Sequence, residues 1–219
     1  MIPLYEKYRP ATWQQVVGQP KALREIEQLR RRGLPGRAYW IAGKSGTGKT
    51  SIARLLARDI AGQDGERQGD ILEIDAKGLT PKDLQALDET LHYFGTARGR
   101  VVIINESHGL SPGCVTAMLT ILERIPDHAA WIFTTTNEGQ DALFEGIDAP
   151  PFISRCVELD LTSQGIAKAF ACRAREIALA EGLDGRPESA YLALVNDCKA
   201  NFRRVLQRIE KGELAGGAA

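Results

Sequence analysis

The run Gly43-Lys44-Ser45-Gly46-Thr47-Gly48-Lys49-Thr50 constrains this chain more than any other stretch. It fits the pattern G-x-x-x-x-G-K-[ST] and stands between the apolar run Tyr39 to Ala42 and a helical period that begins near Lys49. Glycines let such a loop curl so that successive N–H groups face phosphate oxygens, and the helix behind it adds the positive end of its dipole. The plainer alternative is a glycine-rich turn that binds no ligand. That alternative gives no packing reason for a lysine and a hydroxyl at the start of the helix.

The loop therefore predicts a nucleotide site. The residues predicted to bind the nucleotide are Gly43, Lys44, Ser45, Gly46, Thr47, Gly48, Lys49, Thr50 and Ser51. Lys49 is expected to reach the β- and γ-phosphates, and the Thr50 hydroxyl is expected to coordinate magnesium. ATP and Mg²⁺ are the cofactors that this pattern implies.

Short apolar or β-branched runs alternate with helical periods from Ala38 to about Leu161, which is typical of βαβ units around a parallel sheet. The predicted fold class is α/β, a three-layer sandwich with a five-stranded parallel sheet. The strands are expected at Tyr39 to Ala42, Ile71 to Ile74, Val101 to Ile104, Ala130 to Thr134 and Val157 to Leu159. Thr80-Pro81 and Ser111-Pro112 each combine an N-cap with a first-turn proline, so each predicts a helix start.

Strand signals stop beyond Leu161, and three helical segments follow at roughly 163–181, 187–198 and 201–211. They predict a small three-helix lid. The expected organisation is a nucleotide-binding domain over 1–161, a helical lid over 162–212 and a flexible tail over 213–219.

Charge and apolar content limit which partners and which location are expected for the protein. The 28 Lys and Arg residues equal the 28 Asp and Glu residues, so any contact with nucleic acid must use a local patch. No stretch approaches the roughly 20 apolar residues that span a bilayer, and the amino terminus lacks the apolar core of a secretory signal. We expect no membrane contact and a cytoplasmic location.

The cysteines are too widely spaced for a Cys-x-x-Cys metal site and are expected to be free thiols.

A second catalytic element is predicted where the buried run Val101 to Ile104 ends in Asn105 and Glu106. Glu106 is placed to polarise an attacking water as a general base. An aspartate that shares in holding magnesium usually stands where this chain has Asn105. An amide oxygen can still accept from a metal-bound water but lacks the favourable charge, so slow or lost hydrolysis is expected. The plainer alternative is that both residues merely end a strand.

Several segments together resemble one family. Tyr5-Glu6-Lys7-Tyr8-Arg9-Pro10 and Val16-Val17-Gly18-Gln19 resemble the opening of clamp-loader AAA+ ATPases, namely the replication factor C small subunits and the bacterial gamma/tau subunit. Glu73-Ile74-Asp75-Ala76 and Ser154-Arg155-Cys156 continue the resemblance, which covers nearly the whole chain. It implies an AAA+ ATPase whose partners are other clamp-loader-like subunits, a sliding clamp and primer-template DNA.

The resemblance also implies roles for single residues. Arg155 matches a finger that reaches the γ-phosphate bound to a neighbouring subunit; without the family, a surface ion pair explains it equally well. Thr136 or Asn137 matches the sensor 1 position that orients the water or γ-phosphate. Arg203 matches the sensor 2 arginine that folds back onto the phosphates, although arginines on a helix are usually just solvated.

Two further contacts follow from the resemblance. An adenine pocket is implied in the opening segment, and the same residues also suit an arm packed on the core; both can hold. The residues assigned to that pocket are Tyr8, Arg9, Pro10, Val16 and Val17. A weak DNA contact is implied at a capped helix start, where solvated lysines are the commoner explanation. The residues assigned to it are Lys77, Thr80 and Lys82.

Three departures from the family limit what the resemblance implies. A plain polar loop, Gly62 to Gly69, stands where the bacterial subunit carries a four-cysteine zinc module. The sequence stops before a helical collar, so either it is truncated or partners, DNA or another interface hold the ring, and a monomer is expected in isolation. The segment Glu138 to Ile153 is longer than usual and suits a different partner surface.

Two functions remain in competition. The first is an ATPase that assembles on primer-template DNA and loads a sliding clamp, with the helix at 112–124 facing the clamp. The second is a weakly hydrolysing AAA+ switch that recruits partners to DNA or to another complex. Asn105 and the missing collar favour the second, whereas the opening segment and Ser154-Arg155-Cys156 favour the first. Another motor of the same class is less supported, because no pore-loop signature is visible.

Overall fold

The structure is a computed structural model and describes residues 2–94, 98–136 and 150–215. At its centre five parallel strands form one sheet in the order β2-β3-β4-β1-β5. The strands are β1 Arg37–Gly43, β2 Ile71–Asp75, β3 Arg100–Asn105, β4 Ala129–Thr135 and β5 Cys156–Leu161. All five predicted strands are confirmed, and each reaches slightly beyond its predicted bounds.

Helices cover the sheet and continue past it. They are α1 Leu4–Lys7, α2 Pro20–Arg32, α3 Lys49–Ala61, α4 Pro81–Leu91, α5 Pro112–Ile121, α6 Pro150–Ile153, α7 Ala167–Ala180, α8 Glu188–Asp197 and α9 Phe202–Glu210. Short 3₁₀ turns lie at Trp13–Gln15 and Ser107–Gly109. The three helical segments predicted after the last strand are confirmed as α7 to α9. Because a parallel sheet is buried on both faces, its central strands read as continuous apolar runs rather than alternating ones.

Two apolar clusters lie on opposite faces of the sheet. One packs β1, β3 and β4 against α4 and α5, and it includes Trp40, Leu84, Val102, Met118 and Phe133. The other packs the same strands against α2 and α3, and it includes Ile26, Ile52, Leu56, Ile103 and Ile132. The sheet is therefore the middle of three layers, as the sequence predicts.

The predicted starts of α4 and α5 are confirmed by their caps. The Thr80 hydroxyl accepts from Asp83 N at 3.3 Å, while the Asp83 carboxylate accepts from Thr80 N at 2.9 Å. The Ser111 hydroxyl accepts from Cys114 N at 3.3 Å. Each proline then occupies the first turn, where its missing N–H has no intrahelical partner to lose. These caps fix the end of α4 that faces the carboxyl edge of the sheet.

The lid helices share a third cluster with the opening segment of the chain. Leu4 on α1 is 5% exposed and belongs to the same cluster as Tyr191 on α8 and Leu206 on α9. The packing continues past the last helix, because Leu214 is buried and Glu213 forms an ion pair with Arg208. Residues 216–219 of the predicted tail lie outside the described residues.

Within the described ranges no helix combines the length and the apolar character that a membrane span requires. The four cysteines are free thiols. Burial raises the pKa of the half-buried Cys156 thiol to about 12, so this side chain stays protonated at neutral pH.

Candidate nucleotide-binding site

The loop between β1 and α3 has the backbone that its glycines allow. Gly46 has φ of 79° and Gly48, the N-cap of α3, has φ of 104°, and both values lie in the left-handed region. A Cβ added at Gly46 would lie 2.3 Å from Asn201 Oδ1 and 2.9 Å from its Cα. Glycine is therefore needed at position 46 for two reasons, its conformation and the close approach of the lid.

Lys49 is the first residue of α3 and is only 7% exposed. Its Nζ donates to the carbonyl oxygens of Gly43 at 3.0 Å and Lys44 at 3.2 Å. These contacts hold the ammonium group against the inside of the loop, where it can meet an anion. Thr50 follows directly and places a hydroxyl at the same helix start. The amino terminus of α3, the buried ammonium group of Lys49 and the hydroxyl of Thr50 thus lie together.

One cleft joins this loop to three other parts of the chain: the opening segment, the end of β3 and the lid. Counted with its open mouth and the solvent in it, the cleft encloses about 960 Å³. The predicted site residues that line it are Tyr8, Arg9, Pro10, Val16, Val17, Ser45, Gly46, Thr47, Gly48, Lys49, Thr50, Ser51, Glu106 and Arg203. Gly43 and Lys44 do not line the cleft, and their carbonyl oxygens accept from Lys49 Nζ.

Six lining residues were missed by the sequence analysis. They are Tyr5, Gln15, Phe170, Arg173, Phe202 and Leu206. Tyr5 stands inside the opening segment that carried the family resemblance, and Phe202 and Leu206 lie within three residues of Arg203, so neighbouring sequence offered a signal. Phe170 and Arg173 lie on α7, where a helical period reveals a packed face but not what that face meets. Phe170 and Phe202 contact each other with ring centroids 4.8 Å apart, and they form an apolar wall of the cleft.

Gln19 ties the opening segment to the phosphate loop. Its side chain is buried, and Nε2 donates to the carbonyl oxygens of Thr47 at 3.3 Å and Thr162 at 2.9 Å. Its Oε1 accepts from Thr162 N at 3.0 Å. One amide therefore joins the opening segment, the loop and the end of β5. In the sequence, Gln19 stands out only as the last residue of the segment Val16-Val17-Gly18-Gln19 that resembles the family.

Glu106 stands at the end of β3 with its carboxylate toward the cleft. Its backbone is left-handed, with φ of 49° and ψ of 48°, a conformation that costs a non-glycine residue about 1 kcal/mol or more. The turn after it is closed by Ser107, whose buried hydroxyl donates to Ile104 O at 2.9 Å. One Glu106 carboxylate oxygen lies 3.5 Å from His108 Nδ1. The turn aims an exposed carboxylate at the space beside the phosphate loop.

Asn105, the residue before it, points away from that space. Its Nδ2 donates to Glu73 Oε1 at 2.7 Å, and its Oδ1 accepts from the Thr134 hydroxyl at 2.9 Å. Arg54 Nε and Nη2 donate to the two Glu73 oxygens at 2.6 and 3.1 Å. Since a carboxylate only accepts, this network fixes which way the Asn105 amide is turned. Asn105 links the neighbouring strands and does not line the cleft.

The two candidate sensor 1 residues follow β4. Thr136 is half-buried, and its carbonyl oxygen accepts from the Thr135 hydroxyl at 3.2 Å. It is not among the lining residues of the cleft. Asn137 lies outside the described residues. The sensor 1 assignment therefore stays a prediction for both.

Arg155 lies away from the cleft of its own chain. Its Nη1 donates to Pro151 O at 2.6 Å, and its Nη2 forms an ion pair with Glu123, just beyond α5. The ion pair that the sequence analysis held as an alternative is thus present. A finger that acts on a neighbouring subunit also has to lie outside its own site, so this placement leaves the predicted role standing as a prediction.

The three candidate DNA residues gather around the start of α4. Lys77, Thr80 and Lys82 are all exposed. Thr80 donates from its hydroxyl and its N–H to the Asp83 carboxylate, and these bonds hold the pKa of Asp83 below its usual value. The surface is therefore two lysines around a carboxylate-capped helix start, rather than a dense basic patch.

Comparison with known proteins assigns the chain to a family. The family described as "ATPase family associated with various cellular activities (AAA)" matches residues 39–156, which contain the phosphate loop and Glu106. The chain belongs to the AAA ATPase family. Membership supports nucleotide binding and ATPase activity for this AAA domain.

Curated relatives place the AAA domain more narrowly. The DNA polymerase III subunit tau of Escherichia coli K12 is 33% identical over 178 residues, covering 72% of this chain and 26% of that protein. DNA polymerase III subunit gamma/tau of Mycobacterium tuberculosis H37Rv is 31% identical over 154 residues, covering 61% and 27%. The chain thus spans about a quarter of the length of these relatives.

Solved structures show the same fold. The RuvB Holliday junction branch migration motor of Thermotoga maritima superposes with a TM-score of 0.67 at 20% identity, covering 93% of this chain and 64% of that one. A DNA polymerase III gamma subunit-related protein from the same organism gives 0.54 at 15% identity, covering 87% and 58%. The AAA arrangement of sheet and lid is shared with both proteins.

The residues of the cleft fit a magnesium nucleotide. Magnesium prefers oxygen donors, and the Thr50 hydroxyl and Glu106 carboxylate supply them beside the loop. Asn201 lies so close to Gly46 that the loop has no room for a side chain at position 46. Asn105 fits less well as a metal residue because Thr134 already donates to its oxygen.

Proposed function

We propose that this AAA domain binds and hydrolyses ATP with Mg²⁺ and works as a clamp-loader subunit, acting on primer-template DNA to load a sliding clamp during replication. The observation that carries the proposal is the single cleft in which the phosphate loop, Glu106, the opening segment and Arg203 meet. These are the parts that ATP hydrolysis needs: a phosphate cradle, a group to orient water, a base pocket and a cation for the terminal phosphate.

The base is proposed to lie against Tyr8, Pro10, Val16 and Val17, with the apolar wall of Phe170 opposite. A purine needs a flat apolar slot with few polar contacts, and this half of the cleft provides one. The phosphates then extend along the loop toward Lys49. Magnesium held at Thr50 would neutralise charge on the phosphate oxygens.

Glu106 is proposed to orient the attacking water and accept its proton. Its carboxylate is exposed, lines the cleft and has one oxygen 3.5 Å from His108 Nδ1. Arg203 approaches from the lid, and Arg155 of a neighbouring subunit is proposed to complete the site. Hydrolysis would then depend on assembly, since no chain brings its own Arg155 to its own cleft.

The proposal of a sliding clamp and DNA as partners rests on the relatives, which are named as subunits of DNA polymerase III. Lys77, Thr80 and Lys82 are the proposed contacts with the DNA backbone, and the helix α5 is the proposed face toward the clamp. The start of α4 and the amino end of α5 lie side by side, since a Cβ added at Gly113 would lie 3.5 Å from the Pro81 ring. One surface could therefore carry both partners.

A second candidate function rests on Asn105. A neutral amide whose oxygen accepts from Thr134 offers magnesium less than a carboxylate would. In that case the AAA domain binds ATP as a switch, hydrolyses it poorly and recruits partners to DNA or to another complex.

Steady-state ATP hydrolysis, measured with and without primed DNA, separates the two. The clamp-loader proposal predicts turnover that DNA stimulates and that Arg155→Ala reduces at least tenfold, while ATP affinity stays unchanged. The switch predicts tight ATP binding with no turnover in any condition. A chain that binds no ATP contradicts both.

A further inference from the structure

The guanidinium of Arg203 lies over an aromatic ring contributed by the opening segment. Its Cζ is 5.5 Å from the centroid of the Tyr5 ring. An arginine within about 6 Å of a ring centroid is attracted by the negative face of the ring. Both side chains line the nucleotide cleft. The contact is therefore part of the site and not of a remote surface.

The ring of Tyr5 is held in place by its neighbours on α1. Leu4 is buried in the lid cluster, and its N–H donates to Glu210 Oε1 on α9 at 3.3 Å. At the other end, Glu181 accepts from Lys7 Nζ at 2.7 Å and from the Tyr8 hydroxyl. Because α1 is fixed to the ends of α7 and α9, Tyr5 keeps a set position relative to α9, the helix that carries Arg203.

The backbone of Arg203 is fixed relative to the phosphate loop. Phe202 N donates to Gly46 O at 3.3 Å, and Asn201 Oδ1 caps α9 by accepting from Arg204 N at 3.1 Å. What the backbone leaves open is the long side chain of Arg203, which has many rotamers in an exposed setting. In the structure this side chain lies over the Tyr5 ring, which itself lines the cleft.

The acid beside Tyr5 is already engaged. Arg9 Nε donates to Glu6 Oε2 at 3.0 Å, and this hydrogen bond, with smaller contributions from the charges of Arg9, Arg54 and Arg203, holds the pKa of Glu6 below its usual value. The Glu6 carboxylate is thus hydrogen-bonded to Arg9, whereas Arg203 acts on it through its charge and lies over the ring of Tyr5. The aromatic face, unlike a carboxylate, attracts the cation without competing strongly with phosphate.

We infer that Tyr5 is a positioning residue that holds Arg203 toward the terminal phosphate of a nucleoside triphosphate. The inference rests on the proposed binding of ATP in this cleft. It assigns to the opening segment a second role besides the base pocket, because α1 would join the base end of the nucleotide, through Tyr8, to its phosphate end, through Tyr5. Losing the ring should then weaken ATP binding and leave ADP binding unchanged.

The test compares ATP and ADP affinities by isothermal titration calorimetry on the purified full chain with Mg²⁺. Tyr5→Leu keeps an apolar side chain and removes the ring; Tyr5→Phe keeps the ring. Tyr5→Leu is expected to weaken ATP binding by about two- to fivefold with ADP unchanged, and Tyr5→Phe is expected to retain the wild-type ratio. In an Arg203→Ala background, Tyr5→Leu should have no further effect on ATP affinity.

The outcomes are distinguishable. If Tyr5→Leu lowers ATP and ADP affinity equally, or lowers ATP affinity as much without Arg203 as with it, Tyr5 only packs and the inference is wrong. Lys7→Ala, which loosens the same arm without touching the ring, serves as the control for general loosening. A wild-type chain that binds neither nucleotide overturns the proposed function itself, whatever Tyr5 does.

Discussion

The side-chain amide of Asn105 donates to the Glu73 carboxylate across neighbouring strands, at 2.7 Å. Arg54 pairs with both oxygens of the same carboxylate, and the Thr134 hydroxyl donates to the other end of the amide. The four side chains join α3, β2, β3 and β4 at the carboxyl edge of the sheet. An asparagine is matched to this network because it donates on one side and accepts on the other.

The first prediction concerns a carboxylate at that position. Asn105→Asp places a second negative charge within hydrogen-bond distance of Glu73 and removes a donor, so it should destabilise the fold by about 1 kcal/mol and should not raise ATP turnover. Adding Glu73→Gln restores a donor to the pair and should recover most of the lost stability. Urea unfolding of the two single variants and the double variant measures the coupling between them.

The matched control for this cycle is Asp75→Asn, which removes one carboxylate from the end of β2, the strand that carries Glu73. It should not rescue Asn105→Asp if the effect is specific to Glu73. An Asn105→Asp variant that is as stable as wild type and faster in hydrolysis would show that the aspartate faces the metal instead.

The second prediction concerns the close approach of the lid to the phosphate loop. Gly46→Ala puts a methyl group 2.3 Å from Asn201 Oδ1 and 2.9 Å from its Cα, so either the loop or α9 must move. ATP affinity should fall at least tenfold. Gly78→Ala is the control: position 78 has φ of 89°, but nothing lies within 4 Å of the added carbon. It should carry a similar backbone strain with unchanged ATP affinity, as calorimetry and thermal melts would show.

The third prediction concerns Arg155 and its partner Glu123. Their contact is a partly exposed ion pair, so Arg155→Ala should change the free energy of unfolding by no more than about 1 kcal/mol. ATP affinity of the isolated chain should not change, because Arg155 does not line the cleft of its own chain. Glu123→Gln releases the guanidinium and should not lower turnover. A loss of ATP affinity in Arg155→Ala would contradict a role on the neighbouring subunit.

The fourth prediction concerns the start of α4. If Lys77 and Lys82 contact DNA phosphates, removing either one should weaken binding to every sequence alike and reduce the slope of log affinity against log salt by about 1. Fluorescence anisotropy with primed DNA at several salt concentrations measures the slope. Lys21→Ala, an equally charged and exposed change on α2, is the control. Equal slopes for all three variants would remove α4 from the DNA surface.

Local spacing made part of the site predictable from the sequence. The residues from Ser45 to Ser51 line the cleft because a contiguous motif encodes the loop and the start of α3, so their place follows from the chain alone. The position of Glu106 near the loop was predictable because parallel strands end at one edge of the sheet. The buried runs of the three central strands, β1, β3 and β4, were equally predictable, since a sheet covered on both faces leaves little room for polar residues.

Contacts between distant segments were not readable in this way. Arg173 reaches the cleft only because α7 packs beside α9, and no spacing within α7 signals that neighbour. Gln19 joins Thr47 to Thr162, a link between three segments that are far apart in the chain. The match of Asn105 to Glu73 depends on the register of β2 and β3, which sequence patterns leave undetermined.

The central claim is that the cleft binds ATP through Lys49, and calorimetric titration of ATP into the purified chain with Mg²⁺ tests it most directly. We predict saturable one-to-one binding that Lys49→Ala weakens at least tenfold, because this buried ammonium is the cation at the phosphate loop. Lys168→Ala, an exposed lysine on α7, should leave the affinity unchanged. Absence of binding in wild type, or equal binding in Lys49→Ala, would contradict the account.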